Sequence, residues 1–190
     1  TPNMLAGSAV IRGIFPGLSE AAASMAANQI RNLATIGGNL CSAVPGFEPA
    51  VIWGTPASPV VPWDGRDLAA ESATVMPEVG GTRLFVVTFP PDSIMASPDF
   101  DPAAAGAEYG QRLPGLAELF EVDSPGMHTS DTVDYDIVLD GEISVEFDDG
   151  ATVDLRKGDI LVQYGTRHAW RNRSSAPATM IFVLIGATRA

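Results

Sequence analysis

The sequence lacks the residues that define several broad classes of protein. Cys41 is the only cysteine among 190 residues, so the chain can form neither an internal disulfide framework nor a cysteine-based zinc site. It contains no run of about 18 uncharged apolar residues, which excludes a transmembrane helix. Its first residues have no basic stretch followed by a long apolar one, and we therefore expect no signal peptide and a cytoplasmic location.

Basic residues are also scarce. The chain has 11 Lys and Arg against 23 Asp and Glu, which gives a formal net charge of −12. Such a chain repels phosphate backbones and anionic lipids, so we expect neither a nucleic-acid nor a membrane partner. With 46% hydrophobic and 18% charged residues the composition is that of a globular protein, and the length suits one domain with an appended segment.

Residues 1–45 are rich in alanine and poor in charge. We expect them to form a helical or irregular N-terminal extension. Within this extension residues 19–31 are predicted to be a helix, because Ser19 can cap its N-terminus. The remaining residues, 46–190, are expected to form a single β-barrel domain.

Proline and glycine divide residues 43–125 into short apolar segments. Thr82–Phe89 is the strongest predicted strand in this region, and two prolines end it. Ala50–Trp53 is a second apolar run, and Gly115–Phe120 can form a short helix. The stretch 97–106 combines prolines, acids and small residues, so we predict a loop there.

Residues 126–188 have the pattern of an antiparallel β-structure. Short segments rich in β-branched and aromatic residues are separated by turn pairs such as Asp140-Gly141 and Asp149-Gly150, at the spacing of a sandwich or barrel. No segment of helical period interrupts them. The six predicted strands are Asp134–Leu139, Ile143–Phe147, Thr152–Leu155, Ile160–Tyr164, His168–Asn172 and Thr179–Ile185.

The segment 128–141 resembles the first motif of the cupin superfamily. That motif has a His-x-His pair, a Glu a few residues later, then six residues and a Gly. His128 takes the first histidine position, Ser130 the second, Asp134 the glutamate position and Gly141 the closing glycine. The chain therefore departs from the family pattern at two of the four positions.

The segment 158–172 resembles the second motif of the same superfamily. His168 falls on its metal-binding histidine and Asn172 on its closing asparagine, although the turn at Tyr164-Gly165 is one residue short. The resemblance implies an all-β fold, a cupin-type antiparallel β-barrel or double-stranded β-helix. It also implies that the protein is a homodimer, because many cupins exchange edge strands between subunits.

His128 and His168 are the only histidines in the chain. With Asp134 they would make a two-histidine, one-carboxylate set, which suits a divalent transition metal: Fe, Mn, Ni or Zn. In the alternative interpretation the pocket is metal-free, and Asp134, Asp136 or Ser130 satisfies the two histidines. They could then still act as acid and base near neutral pH, so we name His128, His168 and Asp134 as candidate catalytic residues.

Other residues are expected to line the substrate pocket. Trp170 shares a strand face with His168 and could stack on a flat organic ligand. Asp136 shares a face with Asp134 and could orient a histidine from behind. The predicted pocket residues are Ser130, Asp136, Gln163 and Trp170.

A second resemblance lies near the N-terminus. Residues 29–40, Gln-Ile-Arg-Asn-Leu-Ala-Thr-Ile-Gly-Gly-Asn-Leu, are similar to a segment of the FAD-binding subunits of molybdenum hydroxylases. In those proteins glycine-rich turns let the backbone approach the flavin pyrophosphate. We favour a helix end, a Gly-Gly turn and a strand here, and expect no flavin.

The cupin resemblance implies chemistry on small molecules but does not fix a reaction. We expect a small-molecule enzyme, a lyase, isomerase or cyclase in which a divalent metal assists decarboxylation, dehydration, isomerisation or cyclisation. The substrate would be a small organic acid or a polyketide-like compound. The alternatives are a non-catalytic ligand-binding or sensor protein and a metal-dependent dioxygenase.

Overall fold

Eight strands and four short helices make up the part of the chain that the structure describes. This structure is a computed structural model, and it describes residues 2–14, 19, 23 and 47–190. The helices are α1 (Pro2–Gly7), α2 (Ala9–Ile14), α3 (Leu68–Glu71) and α4 (Pro102–Arg112), with 3₁₀ turns at Asp92–Ala96 and Ala117–Leu119. The strands are β1 (Glu48–Thr55), β2 (Thr82–Phe89), β3 (Thr132–Asp140), β4 (Glu142–Phe147), β5 (Thr152–Arg156), β6 (Ile160–Tyr164), β7 (His168–Arg171) and β8 (Ala178–Gly186).

The strands form two antiparallel sheets. The larger sheet has the order β1-β2-β8-β3-β6 and the smaller one the order β5-β4-β7. Val138 and Met180 of the larger sheet pack against Ile143 and Leu155 of the smaller sheet, and all four are buried. This arrangement confirms the predicted all-β antiparallel barrel. β1 and β2 extend the larger sheet, as expected for the middle of the chain.

The predicted strands lie within two residues of the observed ones throughout β3–β8, and β2 matches its prediction at both ends. Turn glycines explain this agreement. Gly141, Gly150 and Gly158 all have positive φ, between +75° and +93°, which L side chains rarely adopt. Each one therefore ends a strand at a position that is visible in the sequence.

Residues 102–106 contradict the prediction of a loop, because they form the first half of α4. The Asp101 side chain accepts hydrogen bonds from the backbone N–H groups of Ala103 and Ala104, and Pro102 occupies the first turn. The residues interpreted as breakers are helix-start signals here. The predicted helix at Gly115–Phe120 is a single 3₁₀ turn, and the predicted helix at residues 19–31 lies outside the described residues apart from two of them.

No helix in the described part of the chain is long and apolar enough to cross a membrane.

The strand register brings polar and aromatic residues into rows across the inner face of the larger sheet. Residues directly opposite each other on neighbouring strands share a face. One row runs Gly54, Arg83, Leu184, Asp134, Gln163, and the next runs Val51, Phe85, Phe182, Asp136, Leu161. Phe182 is only half-buried although it lies in the central strand β8, so the barrel interior is not filled around its ring.

Two turn glycines provide a matched test of this packing. A Cβ atom at Gly141 would lie 2.7 Å from the Pro177 carbonyl oxygen and 2.8 Å from the Ala178 Cα, whereas one at Gly150 would meet nothing within 4 Å. We expect Gly150→Ala to lower the free energy of unfolding by about 1 kcal/mol through backbone strain alone. Gly141→Ala should cost more than about 3 kcal/mol, because the backbone must also move. Urea unfolding of both variants measures the difference, and equal losses would contradict the crowding at Gly141.

Candidate functional site

His128 and His168 meet inside the barrel. Their backbones form an isolated antiparallel bridge, in which each N–H donates to the other residue's carbonyl at 3.0 Å. The two ring centroids are 4.3 Å apart, and only 8% of His128 and 3% of His168 is exposed. The bridge thus attaches the segment before β3 to the start of β7 and stacks the only two imidazoles of the chain.

Both rings are held by backbone carbonyls. Nδ1 of His128 lies 3.1 Å from the Gly126 oxygen, and Nδ1 of His168 lies 2.8 Å from the Thr166 oxygen. A carbonyl can only accept, so each Nδ1 carries a hydrogen and each Nε2 carries a lone pair. Within residues 2–14, 19, 23 and 47–190, no hydrogen bond engages either Nε2. Both Nε2 atoms are available as bases or ligands.

Burial keeps these imidazoles neutral. It lowers the pKa of His128 below its ordinary value, against the opposing effect of the Gly126 carbonyl. It also lowers the pKa of His168 to about 4, with a further contribution from repulsion by His128. At neutral pH, therefore, neither ring carries a charge.

Asp134 and Asp136 lie next to each other on the inner face of β3. Burial raises the pKa of Asp134 to about 6 against the opposing hydroxyl of Thr132. Burial, with repulsion from Asp134, raises the pKa of Asp136 to about 7 although Gln163 opposes the shift. Each carboxyl group therefore takes up its proton near its raised pKa, about 7 for Asp136 and about 6 for Asp134, where ordinary aspartates are ionised.

Asp136 and Gln163 face each other in the geometry of an acid–amide pair. The Gln163 Nε2 group donates to Asp136 Oδ2 at 3.0 Å, while Oδ1 of Asp136 and Oε1 of Gln163 are buried and have no donor. A proton on Asp136 Oδ1 would make that oxygen a hydrogen-bond donor, and the orphaned Oε1 of Gln163 is an acceptor. This agrees with the raised pKa of Asp136.

Some predicted neighbours have other partners than expected. Asp136 bonds Gln163 and not a histidine, so the prediction that it orients an imidazole is wrong. The alternative in which Asp134, Asp136 or Ser130 satisfies the histidines is also wrong, because backbone carbonyls do so. Ser130 is buried, and its hydroxyl accepts a hydrogen bond from Thr132 at 2.7 Å.

Eight rings surround this part of the interior in a closed circuit. Trp170 contacts His168 at 5.8 Å and Phe182 at 5.5 Å between centroids. From Phe182 the contacts continue around the flank of the barrel and return to His128 through Phe120, at 4.3–6.1 Å throughout. The circuit runs Phe120, His128, His168, Trp170, Phe182, Phe89, Phe47 and Tyr109.

Two arginines fasten the segment that carries His128. Arg167 binds the Glu121 carboxylate through two hydrogen bonds of 2.7 and 2.6 Å, and it also binds Asp148. Arg171 donates to the Pro125 carbonyl at 2.8 Å. Sequence reasoning missed Glu121 and the ring of Phe120, since nothing in the residue pattern links them to His128 or to His168.

The predicted metal ligands are His128, Asp134 and His168. Among the described residues, no group of three or more His, Cys, Asp and Glu side chains is arranged to hold a metal ion. His128 and His168 supply two free nitrogen donors, but Ser130 replaces the third histidine of the family motif and Asp134 does not join them. The described residues thus show no three-ligand centre, and the set of His128, Asp134 and His168 stays a prediction.

Comparison with known families agrees with this architecture. The family model described as cupin domain matches residues 121–184, which include β3–β7 and most of β8. Residues 121–184 form a cupin domain. A second family model, the FAD binding domain in molybdopterin dehydrogenase, matches residues 1–61. Most of that match lies outside the described residues, and its last part, β1, pairs with β2 of the barrel.

The curated relatives of this cupin come from fungi. Phomopsin biosynthesis cluster protein C' of Diaporthe leptostromiformis is 46% identical over 84 residues, which cover 41% of this chain and 44% of that protein. The cupin-domain-containing oxidoreductase virC of Hypocrea virens is 36% identical over 62 residues, 31% of this chain and 32% of its own. The chain thus spans less than half the length of these relatives.

Two of the solved structures that resemble this chain are described as cupins. The cupin 2 conserved barrel domain protein from Salinispora arenicola has a TM-score of 0.41 at 15% identity, over 81% of this chain and 87% of its own. A cupin superfamily protein from Desulfitobacterium hafniense has a TM-score of 0.35 at 14% identity, over 55% of this chain and 67% of its own.

The raised pKa of Asp136 predicts a specific dependence of stability on pH. The ordinary pKa is 3.8 and the folded-state pKa about 7, so the native state binds more protons between these values. This contribution to stability is fully present below pH 3.8 and is lost as the pH rises through 7, by at most about 4 kcal/mol. His168, whose pKa is lowered to about 4, has the opposite effect: its contribution is lost as the pH falls below 6.5.

The variant Asp136→Asn separates the pH dependence of stability due to Asp136 from that due to His168. The stability of this variant relative to the natural chain should increase as the pH rises from 4 to 7, because only the natural chain pays for ionising a buried carboxyl. Urea unfolding at a series of pH values measures this difference. The exposed Asp99→Asn serves as the control, and its difference from the natural chain should stay nearly constant. A flat difference for Asp136→Asn would contradict the assigned shift.

Proposed function

We propose that the cupin domain binds a small, flat organic molecule inside the barrel and catalyses proton transfer on it. One observation carries this proposal. Two buried, neutral imidazoles with free Nε2 atoms share the barrel interior with two carboxyl groups whose pKa values are raised to about 6 and about 7. Groups whose environments shift their pKa values in opposite directions are the usual basis of acid–base catalysis.

The aromatic circuit supports a flat, apolar-bodied substrate. Trp170 and Phe182 lie on the inner faces of opposite sheets, are both half-buried, and contact each other edge to face. A planar ligand between such rings gains apolar burial and ring–ring contacts. A small organic acid or a polyketide-like compound has this shape.

The proposed chemistry assigns bases and acids to different groups. His128 or His168 removes a proton from substrate carbon or oxygen at Nε2, since a neutral imidazole is ready to accept one at pH 7. Asp134 or Asp136 then delivers a proton at another position. Isomerisation, dehydration and an aldol-type cyclisation use both transfers, whereas decarboxylation uses only the second, which protonates the carbanion left by loss of CO₂. No step here requires a metal or an external oxidant.

Two versions of the function remain as alternatives. The names of virC and of two other fungal relatives, fogC and srdD, include oxidoreductase, which favours redox chemistry as a second candidate for this chain. A metal-assisted reaction on His128, Asp134 and His168 would give about one equivalent of transition metal in protein purified without chelator, and His168→Ala would lose it. Oxygen consumption together with that metal would replace the acid–base proposal.

Homodimer formation and a cytoplasmic location stay predictions.

A matched pair of probes tests binding and chemistry separately. Acetophenone has a flat ring and an enolisable carbonyl, whereas acetylcyclohexane keeps the carbonyl and loses the flat ring. We expect acetophenone to bind more tightly, as judged by quenching of tryptophan fluorescence, and Trp170→Leu to weaken that binding by roughly tenfold.

The chemistry is followed as exchange of the methyl protons of acetophenone in D₂O by NMR. We expect exchange faster than in buffer alone, and a loss of at least about 100-fold of this acceleration in His168→Gln. Binding by the variant should stay within a few-fold of the natural chain. Binding without any exchange would favour the non-catalytic ligand-binding alternative, and absence of both would contradict the proposal.

A further inference from the structure

A buried guanidinium without a counter-ion lies on the inner face of β2. Only 6% of Arg83 is exposed. None of the ion pairs formed within the described part of the chain includes it. Arginine side chains are rarely buried without a paired anion, since removing a cation from water is costly. The position therefore lacks a negative group.

The hydrogen bonds of Arg83 leave one edge of the guanidinium half-filled. Nη1 donates to the carbonyl of the neighbouring Thr82 at 2.9 Å, and Nη2 donates to the Ser72 hydroxyl at 3.2 Å. Nε is buried and has no acceptor. The Nε–Nη2 edge is one that binds a carboxylate through two parallel hydrogen bonds, and here a neutral hydroxyl occupies only half of it.

The surrounding residues leave this charge uncompensated. A Cβ atom at Gly54 would lie 2.8 Å from Nη1 and 3.2 Å from Cζ, so the guanidinium lies over β1 in space that a side chain would otherwise fill. Asp134 stands in the same row of the sheet, but Leu184 of β8 separates it from Arg83 and the two form no ion pair. The nearest row neighbour with a carboxyl group is therefore not the partner.

We propose that the Nε–Nη2 edge of Arg83 is a binding site for a small organic carboxylate. The carboxylate displaces the Ser72 hydroxyl from Nη2 and accepts from Nε at the same time. Ser72 loses little, because its hydroxyl already donates to the Thr74 carbonyl at 2.7 Å. This inference does not depend on the proposed function, since it involves neither histidine.

The alternative ligand of Arg83 is a carboxylate side chain of the protein itself, which would make the same two hydrogen bonds. Glu20 is the one acidic residue that lies outside the described residues, so it is the one to test. The experiment measures thermal unfolding of the full chain in sodium acetate and, at equal ionic strength, in acetamide with sodium chloride. Acetamide has nearly the shape of acetate without its charge.

We expect acetate, and not acetamide, to raise the unfolding temperature of the natural chain by roughly 3 to 6 °C at ten times the Kd. Arg83→Gln should abolish the shift. Arg83→Lys keeps the positive charge but loses the two parallel N–H donors, so it should weaken acetate binding roughly tenfold. This variant also tests the proposal if Arg83→Gln does not fold. Ser72→Ala should enlarge the shift, because it vacates Nη2. Arg66→Gln, which removes an exposed arginine beside α3, should leave it unchanged.

Three results would overturn the proposal. One is an equal acetate shift in the natural chain and in Arg83→Gln, and another is an equal shift with acetamide. The third is a Glu20→Gln variant that is less stable than the natural chain and is rescued by acetate, which would assign the site to the chain's own carboxylate. Retention of the acetate shift in His168→Gln separates this site from the barrel chemistry, whichever way the proposed function is decided.

Discussion

The reciprocal backbone hydrogen bonds between His128 and His168 are the interaction on which the rest of the site depends. They place two imidazoles in contact, and each ring then bonds the carbonyl two residues before its own position. This local geometry fixes both tautomers without any help from acidic side chains. Two imidazolium ions with centroids 4.3 Å apart would repel strongly in a buried site, so the bridge and the neutral state of the rings support each other.

Burial acts on the acids and on the bases in the same sense, towards the uncharged form. It lowers the pKa of the histidines and raises the pKa of Asp134 and Asp136. The charges that fasten the site lie outside the interior. Glu121 and Arg167 are only partly buried, and their ion pair holds the segment that leads to His128. The ion pairs that position the two imidazoles are thus more exposed than the imidazoles themselves, in a chain whose overall charge is −12.

The sequence predicts the barrel better than it predicts the partners inside it. Turn glycines such as Gly141 mark strand ends because positive φ favours one residue type, and the two histidines stand out because the chain has no others. The carbonyls that hold the rings leave no such mark, since every residue has one. The pairing of Asp136 with Gln163 depends on the register of β3 against β6. A shift of one residue in that register would abolish the pairing. The helix after Asp101 was missed because acids and prolines start helices as well as end them.

The interior also limits what kind of molecule can replace water there. Among the residues of this site, Asp134, Asp136 and Gln163 each have a buried oxygen without a donor, so the polar side of the site has an excess of acceptors. Leaving such acceptors unpaired is costly, and a ligand that carried only acceptors would add to that cost. A ligand with a hydroxyl or a similar donor, or the protonation of the aspartates themselves, relieves it. The aromatic circuit on the other side accepts the apolar body of the same ligand. The two constraints together favour a flat molecule that carries a hydrogen-bond donor on one edge.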